Sequence, residues 1–294
     1  MKSLRLILKE AKKNKVAIGH FNISETSALK AIFMAARELN VPVLIGTSEG
    51  EREFIGAKQA AALVKSLREE YDYPIFLNAD HTHSLEKVKE AVAAGYDAIL
   101  FDGGKLSLEE NIRQTKEVVA YVKAQSKKIL VEGEMGYIGS SSEILKEIPA
   151  GVALKLEDLT KPAEAARFVA ETGVDLLAPA VGNMHGLVAD ASGTGFAAVK
   201  NLFIDRIKEI KKAAKIPLVL HGGSGTSDDD FIKAIGVGIN IIHINTELRL
   251  AWRRGLEAGL AKNQTEVAPY KLLAPALDEM KKIVYNRLKL FNKQ

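Results

Sequence analysis

The stretch Ile75-Phe76-Leu77-Asn78-Ala79-Asp80-His81-Thr82-His83-Ser84 decides how this chain folds. It starts as an apolar run suited to a strand and turns polar at Asn78. At Ser84 it enters a segment with helical periodicity, residues 84–94. This is one strand–helix unit, with polar residues gathered where the strand ends. The same unit recurs in both directions. Candidate strands are Val16–Phe21, Val43–Gly46, Ile75–Asn78, Ala98–Asp102, Ile129–Glu134, Leu176–Ala180, Leu218–His221 and Ile239–Asn245. Amphipathic stretches over 26–40, 54–69, 108–124, 162–171, 198–214 and 228–235 separate the others, and a last helix begins near Glu247. Helices lying between strands are the crossovers that parallel strands require. Eight units in 294 residues predict a closed (β/α)8 TIM barrel, read as a single domain over 1–294, because no Pro- or Ser-rich linker interrupts them.

The composition narrows what such a barrel can do. There is no cysteine, so disulfides and thiolate metal sites are excluded and a metal site must be built from His, Asp or Glu. The net charge of +4 gives no ground for a nucleic-acid partner. Lys208, Lys211, Lys212 and Lys215 read as the solvated face of a helix. Residues 1–15 are too charged for a signal peptide. Leu4, Ile7, Leu8 and Ala11 instead form one face of an amphipathic helix. No apolar run approaches the roughly 18 residues needed to span a bilayer, so a cytoplasmic protein without a membrane partner is expected.

The strand ends carry the chemistry. Polar residues follow nearly every one: His20 to Asn22, Ser48-Glu49, Asn78 to His83, Asp102-Gly103-Gly104, Glu132 and Glu134, Asn183 to Gly186, His221 to Gly225, and His243 to Thr246. Barrel enzymes build their sites at this end. Two longer irregular stretches, Gly136–Lys161 and Gly186–Gly195, also follow strand ends, as lids often do. His81, His185 and His221 come directly after the third, sixth and seventh strands and can converge over the barrel mouth. Three imidazoles with an open fourth position suit catalytic zinc or another divalent transition metal. His83 competes with His81, which is favoured because Asp80 then lies beside the metal. Asp80 is the candidate general base, with helix capping as its bland alternative. Gly222-Gly223-Ser224-Gly225 opens the seventh helix, where backbone N–H groups can approach a phosphate, on the strand side near Gly222, Ser224 and Thr246. None of the eight strands contains a lysine, which argues against Schiff-base chemistry.

Together, Asn78-Ala79-Asp80-His81, Gly182-Asn183-Met184-His185-Gly186, His221-Gly222-Gly223-Ser224-Gly225 and Asn245-Thr246-Glu247-Leu248-Arg249 resemble the class II ketose-bisphosphate aldolases, the fructose- and tagatose-bisphosphate enzymes. Val131-Glu132-Gly133-Glu134-Met135-Gly136, Phe21-Asn22 and Ser48-Glu49 extend the resemblance over nearly the whole chain. It implies zinc on His81, His185 and His221, with Glu134 lining an alternative metal position. Asp80 would shuttle the proton of a dihydroxyacetone-phosphate half. Gly186, Gly222, Gly223, Ser224, Asn245 and Thr246 would surround its phosphate, with Asn22 and Ser48 as further substrate contacts. Arg249 would reach the distal phosphate. A monovalent cation (Na+ or K+) near the phosphate loops and a homo-oligomer, dimer or tetramer, are also implied.

The chain departs from the family pattern at five places. Ile241 replaces a Lys, and His243 replaces an Asn expected to contact substrate. Asn183-Met184 stand for Thr-Ser, no Lys occurs by Ala189, and the family's loop acid falls at Ser142, with Glu143 one residue later as its replacement. These changes leave the metal set intact and bear on sugar specificity. The expected reaction is reversible aldol cleavage of fructose 1,6-bisphosphate or a close ketose phosphate through a metal-stabilised enediolate. A metal-dependent hydrolase on the same fold, a sugar-phosphate epimerase and a non-catalytic sugar-phosphate binder are the other readings.

Overall fold

Apolar strand runs that alternate with amphipathic helices can bury both faces by closing on themselves, the helices covering the outside, and the computed structural model has that architecture. It describes residues 2–139, 144–148, 150–152, 155–189, 200–262 and 264–294. The strands are β1 (Ile18–Asn22), β2 (Val43–Thr47), β3 (Ile75–Thr82), β4 (Ala98–Phe101), β5 (Leu130–Met135), β6 (Ile144–Leu145), β7 (Leu176–Pro179), β8 (Leu187–Val188), β9 (Leu218–Leu220) and β10 (Ile239–His243). Eight of them form a closed parallel barrel in the order β1-β10-β9-β7-β5-β4-β3-β2. The helices are α1 (Leu4–Asn14), α2 (Thr26–Leu39), α3 (Glu49–Ile55), α4 (Ala57–Tyr71), α5 (Leu85–Ala94), α6 (Leu108–Gln125), α7 (Pro162–Thr172), α8 (Ile204–Ala214), α9 (Asp228–Val237), α10 (Thr246–Lys262), α11 (Pro269–Leu272) and α12 (Ala274–Phe291).

Side-chain alternation divides the barrel interior into layers. Ile18, Leu44, Phe76, Leu130, Leu176, Val219 and Ile241 pack into one apolar cluster with Leu4, Ile7, Leu8 and Ala11 of α1, so α1 closes the N-terminal end. Two residues farther along, the inward positions carry His20, Asn78, Glu132, His221 and His243, all buried. The polar layer is therefore a direct consequence of strand periodicity.

Several boundaries differ from the sequence reading. Residues 54–69 are parts of two helices, because Gly56 breaks α3 from α4. Within the stretch 198–214 expected to be one helix, residues 200–203 are not helical and α8 starts at Ile204, since Leu202 is buried and the Phe203 N–H bonds the Val181 carbonyl at 3.0 Å. The two irregular stretches pair with each other: Ile144 and Leu145 lie in parallel register with Leu187 and Val188. Lys211 is not a solvated lysine. Its Nζ is turned inward to the Ile216 carbonyl and Asn240 Oδ1, and burial lowers its pKa to about 8.

Candidate active site

The site starts from an irregularity in β3. The sequence reading stops this strand at Asn78, but it runs on to Thr82 with one extra residue against β4: Ala79 pairs with Ile99 and Thr82 with Phe101. A bulge of this kind re-aims side chains. Here it turns both Asp80 and His81 into the barrel mouth, and His81 adopts φ 40°, a conformation non-glycine residues seldom take. Ser84 caps α5 by accepting from the Lys87 N–H, so Asp80 is not spent as a cap.

His81, His185 and His221 converge, with ligand-capable atoms within 4.8 Å of one another. His81 Nε2, His185 Nε2 and His221 Nδ1 are buried and have no hydrogen-bond partner among the described residues. The opposite nitrogens of two rings are engaged. His81 Nδ1 lies 2.7 Å from Asp102 Oδ2, and His221 Nε2 lies 2.8 Å from Glu132 Oε1. Carboxylates behind imidazoles fix ring orientation and raise ligand basicity, the usual arrangement around a bound metal. Glu134 faces the same space, its Oε2 3.8 Å from His81 Nδ1 and 3.9 Å from His221 Nδ1, and it forms a second possible ligand group with His81 and Asp102. Burial, with Asp102 adding to it, raises Glu134 to about 8. Burial lowers His81, but Asp80, Asp102 and Glu134 outweigh it and hold its pKa well above normal, while burial holds His185 well below. Donors that stay unpartnered while acids crowd around them fit a divalent cation. His83 does not join them: its side chain is 57% exposed and its ring leans on the Asp102 carbonyl.

Asp80 is fixed from two sides. Asn22 Nδ2 donates to Asp80 Oδ2 at 2.9 Å and to Glu51 Oε2 at 2.7 Å, while Asp80 Oδ1 is buried without a hydrogen bond to any described residue. Burial pushes the Asp80 carboxyl up, but His81, His243 and His20 outweigh it and hold it well below the usual range. His243 lies between the His20 and His221 rings, at centroid distances of 3.5 and 3.8 Å, with Nδ1 3.5 Å from Asp80 Oδ1. Its replacement of an Asn therefore builds an imidazole stack behind the acid. Arg52, which the sequence reading did not single out, donates from within the protein to the carbonyls of Thr47 and Asp80 and to Thr82 Oγ1.

A cavity of about 790 Å³ lies over this cluster, lined also by Asn22, Ser48, Gly222, Ser224, Asn245, Thr246 and Arg249. Gly186 and Gly223 lie outside that lining, and the Gly223 N–H is committed to the His243 carbonyl at 3.1 Å. Gly222 has φ 58°, and a Cβ there would meet the Met184 carbonyl oxygen at 2.4 Å, so the turn needs glycine. Ser224 Oγ accepts from the N–H groups of Asn245 and Glu247, tying the turn to the start of α10. Lys200, another residue unseen in the sequence reading, donates to the carbonyls of Gly222 and Ser224; burial lowers its pKa to about 7, against the pull of Glu247. Arg249 reaches the mouth, paired at 2.7 Å with Glu51, whose other oxygen accepts from Ser48. Asn183 braces the turn at His221, its amide donating to the His221 carbonyl, and Ile241 belongs to the apolar cluster under α1. Ser142 and Glu143 lie outside the described residues.

A family profile described as class-II fructose-bisphosphate aldolase matches residues 2–294. The chain belongs to that family. It is 34% identical over 292 residues to a fructose-bisphosphate aldolase of Geobacillus stearothermophilus, covering 98% of this chain and 96% of the relative. It is 35% identical over 288 residues to the 6-phospho-5-dehydro-2-deoxy-D-gluconate aldolase of Shouchella clausii (strain KSM-K16), covering 97% and 92%. The solved structure of the YdjI aldolase from Escherichia coli K12 superposes with a TM-score of 0.79 at 29% identity, over 99% of this chain and 96% of that one. Class II aldolases are metal-dependent lyases acting on phosphorylated sugars, and the imidazole cluster supplies this aldolase with donors suited to the ion. No helix among the described residues is long and apolar enough to cross a membrane.

Proposed function

We propose that this aldolase reversibly cleaves fructose 1,6-bisphosphate to dihydroxyacetone phosphate and an aldehyde phosphate, with zinc on His81, His185 and His221. One observation carries this reading: three buried imidazole nitrogens without partners among the described residues, beside an acid fixed by Asn22. A divalent ion held there supplies Lewis acidity toward a ketone carbonyl. Asp80 takes the proton from the carbon next to that carbonyl in the condensation direction and returns it in cleavage. Its unpartnered Oδ1 is the oxygen available for this, because Asn22 occupies Oδ2. Glu143 is the second acid in the proposal.

The turn at Gly222 and Ser224, with Asn245 and Thr246, holds the phosphate of the triose half. Arg249 holds the distal anion through paired N–H donors, leaving Glu51 when it does so. The Shouchella relative is named for a substrate with a single phosphate, so the distal group is the point of choice. A panel of fructose and tagatose bisphosphates, a sedoheptulose phosphate and 6-phospho-5-dehydro-2-deoxygluconate, with and without chelator, tests the proposal. The highest kcat/KM should fall on fructose 1,6-bisphosphate and vanish with chelator. Preference for the singly phosphorylated acid would move the assignment to that activity, and cleavage that survives chelation would remove the metal from it.

A further inference from the structure

Lys200 is half-buried in a place where a lysine finds no ion-pair partner among the described residues. Its Nζ lies 2.9 Å from the Gly222 carbonyl oxygen and also donates to the Ser224 carbonyl. Two carbonyl oxygens converging on one small cation make a monovalent cation site, filled here by an ammonium group. The contacts act on the turn through the peptide plane, because in a trans peptide a C=O points opposite the following N–H. The Gly222–Gly223 unit is pinned by Lys200 on one side and on the other by the Gly223 N–H on the His243 carbonyl. The Ser224–Gly225 unit is pinned by Lys200 and by the Gly225 N–H on Glu247 Oε1 at 2.8 Å. Between these two fixed units lies the N–H of Ser224, which no described atom accepts. An ammonium has three N–H donors, and no described atom accepts the third of Lys200.

We infer that Lys200 is a built-in counter-ion for the phosphate-binding turn: its ammonium fills the space between the Gly222 and Ser224 carbonyls that a sodium or potassium ion would otherwise occupy, and phosphate binding therefore needs no added monovalent cation. The inference rests on the reading of this turn as the phosphate site. The lysine precedes α8 and packs against a turn after β9, so its charge arrives from a different strand–helix unit than the groups it orients.

The test uses metal-loaded protein and titrates inorganic phosphate and dihydroxyacetone phosphate by calorimetry. Tetramethylammonium chloride is compared with potassium chloride at equal ionic strength. The wild-type Kd should agree within about twofold between the salts. Lys200→Ala should bind on the order of tenfold more weakly in tetramethylammonium, the scale of a charge-assisted hydrogen bond. It should recover most of this in potassium or ammonium, which fit the vacated space. Elemental analysis should find its divalent metal unchanged. A wild type that binds phosphate only when potassium is present would overturn the inference while leaving the phosphate reading intact. So would a Lys200→Ala with unchanged affinity, or one whose lost affinity neither ion restores. Absence of binding by the wild type in every salt would instead remove the phosphate reading and the inference with it. Should Lys200→Ala fail to fold, the wild-type salt comparison still decides the question.

Discussion

The two ends of this barrel are built from the same strands, two residues apart, and share almost no chemistry. At the N-terminal end Phe76, Leu44 and Ile241 meet Leu8 and Ile7 of α1 in an apolar cluster. At the C-terminal end Asn78, Asp80, His221 and His243 crowd together, leaving buried polar atoms without partners. An apolar layer gains stability by leaving water, roughly 25 cal/mol per Å² of surface. A layer of unpartnered imidazole nitrogens costs stability unless a ligand completes it. The first end holds the fold and the second is held by it. Mutations at the two ends should therefore separate stability from activity.

The sharpest break is metal removal. Chelation should abolish cleavage and leave the barrel's far-ultraviolet circular dichroism in place, and zinc or cobalt should restore the rate. His185→Ala should lose bound metal by elemental analysis. Full occupancy in that variant would dismantle the ligand assignment. At the opposite end, Phe76→Ala should cost about 3–5 kcal/mol of stability, the range for emptying an aromatic side chain from a core. Denaturant unfolding would measure it, and kcat of the folded fraction should stay near wild type. A kcat loss matching the stability loss would mean that the two ends are not separable.

A finer cut lies within the polar end. Asp80→Ala should retain metal and lose cleavage by a factor on the order of a hundred or more, as general-base loss does. Exchange of the triose C–H proton with solvent should stop as well. Persistent exchange would move the proton transfer to another group, with Glu143 first. The smallest effect belongs to Arg249, whose side chain is 38% exposed. Arg249→Ala should cost about 1.5–3 kcal/mol in kcat/KM on the bisphosphate, the worth of a hydrogen bond to a charged group. The 1-monophosphate ketose should barely notice. Equal losses on both substrates would place Arg249 in support of Asn22 and Asp80 through Glu51.

Strand alternation and helix periodicity made the barrel, α1 and the convergence of His81, His185 and His221 legible in the sequence, because each rests on local spacing plus the rule that sites collect at strand ends. The bulge at Asp80–His81 was not legible, since one extra residue in a strand leaves no compositional trace. The pairing of 144–145 with 187–188 was hidden for a related reason, as it joins two loops with no periodicity of their own. Lys200 looked like one more lysine in a presumed helix.

What the sequence determined by itself is the repeated unit and the residue types offered at each strand end. Those follow from side-chain size, polarity and period along a single stretch of chain. The tertiary structure decided which nitrogen of each imidazole is spent and which is left, and that His243 stacks behind Asp80. It also decided that Glu51 joins Arg249 to Asn22, and that the Lys200 ammonium faces the glycine turn. These are contacts between residues from 20 to nearly 200 positions apart. Closure of the barrel brings them into contact, and no local pattern encodes a distance between residues so far apart in sequence.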